Sequence, residues 1–98
     1  MTRMIFINST LKEVSEVFME LSLENLYSYI LSPSMYIETV GKIDEMFVNA
    51  TPFINENSWI LDGKRYKGNA LMYGKILEND CSGCTWNIED FRGLIEFL

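Results

Sequence analysis

Apolar positions in the first half of the chain recur mostly at three- and four-residue spacing, whereas in the second half they gather around turn residues. The opening run Met4-Ile5-Phe6-Ile7 is short, apolar and β-prone, and predicts a strand. Thr10-Leu11-Lys12-Glu13 then fits a capping box, in which the threonine hydroxyl and the glutamate carboxylate satisfy free amides at a helix start. Leu11, Val14, Val17, Phe18 and Leu21 follow as one apolar stripe, which predicts a helix over about residues 11–22. The pattern runs on or kinks through Ser22 into residues 23–31, until Pro33 ends it. Ser34 caps a further predicted helix carrying Tyr36, Ile37, Val40, Ile43 and Phe47, closed by Pro52.

Beyond that point the character changes. Trp59-Ile60-Leu61 and Tyr66 flank Asp62-Gly63, a hairpin signal, because a type I′ turn needs positive φ at both central residues. Residues 71–77 read as a strand broken by Gly74, and Asn87 caps a C-terminal helix with Ile88, Phe91, Leu94, Ile95 and Leu98 on one face. No repeat, low-complexity tract or Pro/Gly/Ser linker divides the chain. The expectation is one domain over residues 1–98 of the α+β class. In it, three to four helices pack on a small, mostly antiparallel sheet with a hairpin near 59–67.

Composition narrows the function classes. With 48% hydrophobic and 22% charged residues, the 98-residue chain is too apolar to be a disordered tail. Its 8 basic and 14 acidic side chains give a net charge of -6, which repels phosphate backbones and anionic membrane surfaces. The densest basic run, Lys64, Arg65 and Lys67 with Lys75 nearby, stands beside Asp62 and reads as a solvated hairpin tip. No direct nucleic-acid or membrane partner is expected. No stretch approaches the ~18–20 apolar residues of a membrane span, and residues 1–8 turn polar too soon for a secretory signal. Two cysteines fall short of a disulfide scaffold. These features predict a soluble cytoplasmic protein.

Candidate chemistry is sparse. The chain has no histidine, which removes the commonest general base and metal ligand and any Ser–His–Asp or Cys–His arrangement. Gly63, Gly68 and Gly74 are scattered through the hairpin region rather than gathered into a phosphate cradle. Cys81-Ser82-Gly83-Cys84 looks like the redox pair of thioredoxin-like proteins over those four residues. It lies behind Glu78 and Asp80, whose charges raise a thiol pKa, and late in the chain rather than in an N-terminal βαβ unit. Two thiolates alone do not complete a zinc site. The pairs Asp44–Glu45 and Glu89–Asp90 are adjacent in sequence, so on a helix they diverge by about 100°. The expectation is a protein with no catalytic activity, metal or cofactor, with a Cys81/Cys84 thiol module as the alternative.

The positive signal is a row of carboxylates. Glu13, Glu16, Glu20 and Glu24 recur at spacings of three, four and four, within an arc of roughly 80° on a continuous helix. Only Lys12 stands close enough to offset their repulsion. Solubility accounts for such a face; so does a docking surface for a basic partner, since a concentrated negative field steers cationic proteins. Asp44, Glu45, Glu56, Asp80, Glu89 and Asp90 could widen it. Tyr27, Tyr29, Tyr36, Trp59 and Trp86 are of the types that anchor interfaces and equally of those that fill cores.

A short, acidic, histidine-free chain with carboxylates at Glu13, Glu16, Glu20 and Glu24 resembles the small immunity proteins of bacterial toxin systems. These include the contact-dependent growth-inhibition immunity proteins and the barstar-like inhibitors. The resemblance is one of size and charge and implies a non-enzymatic inhibitor of a basic toxin domain, often a nuclease. Alternatives are a phage-type anti-defence inhibitor that imitates nucleic-acid charge, the thiol module, and a structural subunit or homodimer with aromatic contacts.

Overall fold

Strands, rather than helices, account for most of the chain. The computed structural model describes residues 2–20, 22–32, 34–40, 44–51, 56–74, 76–77, 80–81 and 86–98, with the backbone alone at 76–77 and 80–81. β1 (Thr2–Asn8) and β2 (Glu13–Met19) form a hairpin, followed by α1 (Leu23–Ile30). β3 (Met35–Val40) and β4 (Asp44–Asn49) form a second hairpin, and β5 (Ser58–Leu61) and β6 (Lys64–Lys67) a third. β7 (Ala70–Gly74) follows, then a short ladder of β8 (Ile76–Leu77) with β9 (Asp80–Cys81), α2 (Ile88–Arg92) and β10 (Ile95–Phe97).

The main sheet has the order β2-β1-β7-β4-β3, with every neighbour antiparallel. A smaller antiparallel sheet has the order β10-β5-β6. One face of the main sheet presents Ile5, Ile7, Val14, Val40, Met46, Val48, Ala70 and Met72. These pack against Trp59, Leu61 and Tyr66 of the small sheet and Phe91 of α2. The other face presents Met4, Met19, Leu71 and Tyr73 to Leu26 and Ile30 of α1. The main sheet is therefore a middle layer, covered on both sides.

This overturns the expected α+β arrangement of three to four helices on a sheet: the protein is mostly β, with two short helices among the described residues. The predicted helix over 11–22 is instead, through residue 19, the turn after β1 and the strand β2, while Leu21 lies outside the described residues. Because both faces of the sheet are buried, apolar residues occupy both parities of β2: Val14 points to one layer, Val17 and Met19 to the other. That distribution hides the two-residue period and imitates a helical one. The predicted capping box is a turn, in which Asn8 Oδ1 accepts from the Leu11 amide at 3.1 Å and Lys12 takes a left-handed φ of 54°. The helix predicted from Ser34 to Pro52 fails for the same reason. Tyr36, Glu38 and Val40 share one face of β3 and Ile37 lies on the other, while Ile43 and Pro52 lie outside the described residues.

Several local expectations do form. Asp62 (φ 52°) and Gly63 (φ 75°) make the turn between β5 and β6, and residues 71–77 divide into β7 and β8. Asn87 caps α2 as expected, whereas Ser22, through which the sequence pattern ran on or kinked, caps α1, its side chain accepting from Asn25 N. The C-terminal helix stops at Arg92 with Gly93 as its C-cap, and Ile95-Glu96-Phe97 adds as a strand to β5. Leu94 and Leu98, placed by sequence on a buried helix face, are 47% and 45% exposed.

A buried amide ties these pieces together. Asn69, 4% exposed, precedes β7. Its Oδ1 accepts from the Ser9 amide (2.9 Å) and hydroxyl (3.1 Å), and its Nδ2 donates to the Tyr29 carbonyl (2.9 Å). Asn57 Nδ2 donates to the Ser9 carbonyl at 2.8 Å, and Trp59 Nε1 donates to the Gly68 carbonyl at 2.8 Å. Gly68 itself has φ +86°, a conformation that costs a residue with a Cβ. Replacing Asn69 with Leu leaves the buried Ser9 amide and hydroxyl without their acceptor. The expected loss is ~2–4 kcal/mol of unfolding free energy, read from urea denaturation.

Candidate functional site

Of the four glutamates singled out in the sequence, Glu13 and Glu16 lie on an end strand of the main sheet and Glu20 directly after it, while Glu24 lies on the helix that follows. β2 is an end strand with β1 as its neighbour. Glu13 opens it, Glu16 lies in its middle, Glu20 follows it and Glu24 stands in the first turn of α1. All four are exposed. They do not form the single helical stripe that their spacing suggested. Side chains alternate along a strand, so Glu13 and Glu16, at odd and even positions, leave opposite faces of the sheet.

Their surroundings differ as well. Glu16 Oε2 accepts from Arg3 Nε at 2.7 Å, and the same guanidinium donates through Nη2 to the Trp86 carbonyl at 2.7 Å. Arg3 thus holds Glu16 and the approach to α2 together, and much of the Glu16 charge is answered locally. Glu24 sits where the unpaired amides of a helix start favour negative charge. Glu13 borders an open depression with Lys12, Val14, Ser15 and Arg92. There Arg92 donates to the Val14 carbonyl through Nε (3.3 Å) and Nη2 (2.9 Å) and to Glu89 through Nη1 (2.7 Å). Phe18, 58% exposed, and Leu23, 64% exposed, are interspersed with the carboxylates in sequence.

A second cluster lies at the other end of the sheet, where β3 meets the β5–β6 hairpin. Lys64 Nζ donates to Glu38 Oε2 at 2.7 Å and lies 5.9 Å from the centre of the Tyr66 ring. Tyr66 stacks on Trp59 with ring centres 4.7 Å apart. Glu38, Thr39, Val40, Leu61, Asp62, Lys64 and Tyr66 line a cavity of about 140 Å³, room for a few waters rather than for a typical organic ligand. Burial raises the Tyr36 and Tyr66 phenols above the usual tyrosine range, with the Glu38 carboxylate adding to the rise and Lys64 opposing it. Donating its hydrogen bond to the Glu38 carboxylate raises the Lys64 ammonium. The carboxylate and ammonium neutralise one another, and the geometry fastens an end strand to a hairpin. Sequence reasoning missed this cluster because it placed Glu38 on a helix. The alternation of Tyr36, Glu38 and Val40 was the available signal.

The remaining candidates separate. Asp44 is buried and Glu45, on the opposite face of β4, is half-buried, whereas Glu89 and Asp90 lie in the first turn of α2. Trp59 is a core residue, Tyr29 packs edge-on against Phe6, and Tyr27 and Tyr36 are exposed. Cys84 and the side chain of Cys81 lie outside the described residues. Among the described residues no group of three or more acidic or thiol side chains is placed to hold a metal ion, and no helix is long and apolar enough to cross a membrane.

No protein-family model, no curated protein and no solved structure matches this chain.

The raised groups fix the alkaline behaviour. A folded-state pKa above the unfolded one means that the fold holds its proton more tightly, so stability falls as pH rises past the unfolded value. For Tyr36, Tyr66 and Lys64 that begins above about pH 10. The thermal midpoint should fall from there upward, and Tyr66→Phe should make the fall shallower, as followed by circular dichroism across pH 9–12.

Proposed function

We propose that this chain is a non-enzymatic, cytoplasmic binding protein of the immunity or antitoxin type, which neutralises a basic toxin domain through the acidic end of its main sheet. One observation carries the reading: Glu13, Glu16, Glu20 and Glu24 are all exposed along an end strand and the helix turn after it, interspersed with exposed Phe18 and Leu23. A partner that approaches edge-on meets side chains from both faces of the strand, so the alternation of Glu13 and Glu16 does not divide the surface. Apolar anchors within a polar surround are the ordinary anatomy of a protein interface. Arg3 answers Glu16 at 2.7 Å, so the field comes chiefly from Glu13, Glu20 and Glu24, with Lys12 and Arg92 beside Glu13.

The fold supports the choice of binding over chemistry. Neither carboxylate pair, Asp44–Glu45 nor Glu89–Asp90, converges on a common cavity, and Glu38 is held by Lys64. A nuclease that grips phosphate carries cations on its working surface, and a row of fixed carboxylates competes for those same cations.

Co-expression with the product of an adjacent toxin reading frame should restore growth. The triple reversal Glu13→Lys, Glu20→Lys and Glu24→Lys should abolish that protection. It should also slow association with the toxin domain at least tenfold at low salt, measured by surface plasmon resonance, with circular dichroism unchanged. Unaltered association by the folded triple variant would remove this edge from the interface.

A further inference from the structure

We infer that β3 is a self-pairing edge, through which two copies of this chain join their main sheets into one continuous sheet about a two-fold axis. The backbone supplies the first part of the argument. β3 is the end strand opposite β2. Ser34 O accepts from Ala50 N at 2.9 Å, and the ladder continues from Met35 opposite Asn49 to Val40 opposite Asp44 without a bulge. Backbone groups alternate in direction along an antiparallel strand. Since Ser34 turns its carbonyl toward β4, Tyr36, Glu38 and Val40 do the same. Met35, Ile37 and Thr39 direct their amides and carbonyls away from the sheet.

Such an edge invites another strand unless something guards it, and natural guards are lysine, proline, a bulge or a covering side chain. Met35-Tyr36-Ile37-Glu38-Thr39-Val40 contains no lysine or proline, and Ile37 is 49% exposed. The opposite end of the sheet is guarded: Arg92 occupies the Val14 carbonyl of β2 with two donors. Head-to-tail addition of β3 to β2 of another copy would have to displace Arg92 from that carbonyl, whereas pairing of β3 with itself displaces no such contact and is the closed solution.

Charge selects a second copy as the occupant. Two molecules of net charge -6 repel one another, most of all through the end that carries Glu13, Glu16, Glu20 and Glu24. β3 carries one charge, Glu38, and Lys64 neutralises it at 2.7 Å. This is the edge on which an anionic copy meets least opposition, whereas a cationic partner is drawn to the other end.

The register follows. A two-fold axis normal to the sheet keeps each side chain on its own face, so directly opposed residues must share parity. Centring on Glu38 opposes two carboxylates. Centring on Ile37 sets it against its own copy, places Met35 opposite the second copy's Thr39, and engages all three outward-directed residues. It also brings the Tyr36 phenol beside the second copy's Glu38.

Sedimentation velocity from about 5 to 500 µM, the range of a weak association, should show the mass rising from 11.4 kDa toward twice that value. Ile37→Lys and Thr39→Lys should each raise the dissociation constant at least tenfold. Ile37→Pro should do the same, because it deletes an amide that β4 does not use. Far-UV circular dichroism should stay unchanged; if Ile37→Pro does not fold, the lysine variants at exposed positions decide. Charge reversal at Glu13, Glu20 and Glu24 should leave the dimer intact, which separates this surface from the toxin-binding one. A wild-type chain that stays monomeric throughout overturns the inference, as does a dimer that the three β3 variants retain.

Discussion

Covering both faces of the main sheet is the constraint on which this structure depends. In 98 residues the chain must supply a middle layer that is apolar on both sides, a helix for one side and a small sheet with a second helix for the other. Every strand in the middle of that sheet gives up polar alternation to do so: β7 is buried at all five of its positions. Apolar burial at about 25 cal/mol per Å² rewards this arrangement. Its consequence is that no broad face of the main sheet is left for a partner. What the central layer can offer to other molecules is its two ends.

Those ends differ. At β2 the carboxylates are exposed, and the strand is braced by guanidinium groups that reach it from β1 and from α2. At β3 the single carboxylate is already satisfied by a lysine of the small sheet, and the aromatic and aliphatic side chains on either side of it are in contact with solvent. The ion pairs therefore do more than trim the surface charge. They distribute it, leaving one end of the sheet anionic and the other close to neutral. Exposed pairs of this kind add little to stability, so their interest lies in this distribution rather than in holding the fold.

How much of this could be read from residues alone follows from the same constraint. The Asp62-Gly63 hairpin, the Asn87 cap and the interruption at Gly74 were legible, because their chemistry is local, whereas the caps read at Thr10 and Ser34 start no helix and the one at Ser22 was read as a kink. Strand identity in β2, β3 and β4 was not legible. Val14, Val17, Phe18 and Met19 serve two layers and one solvent-facing position, and the resulting mixture of parities matches a 3.6-residue period as well as a two-residue one. The glutamate row was legible as exposed charge, since Glu13, Glu16, Glu20 and Glu24 all face solvent, but its geometry was inherited from the wrong element. Glu38 with Lys64 was invisible, because 26 positions separate them and only the packing of β3 against the small sheet brings them together.

The Asn69 side chain has a consequence for motion. Its one amide joins the turn after β1, the last residues of α1 and the lead-in to β7, three segments far apart along the chain. None of them can separate from the others without breaking a shared bond in a site that excludes water. Amide hydrogens in these segments should accordingly exchange with solvent as a single opening unit, giving this small protein one cooperative block where a simple hairpin-by-hairpin architecture would fray piecemeal.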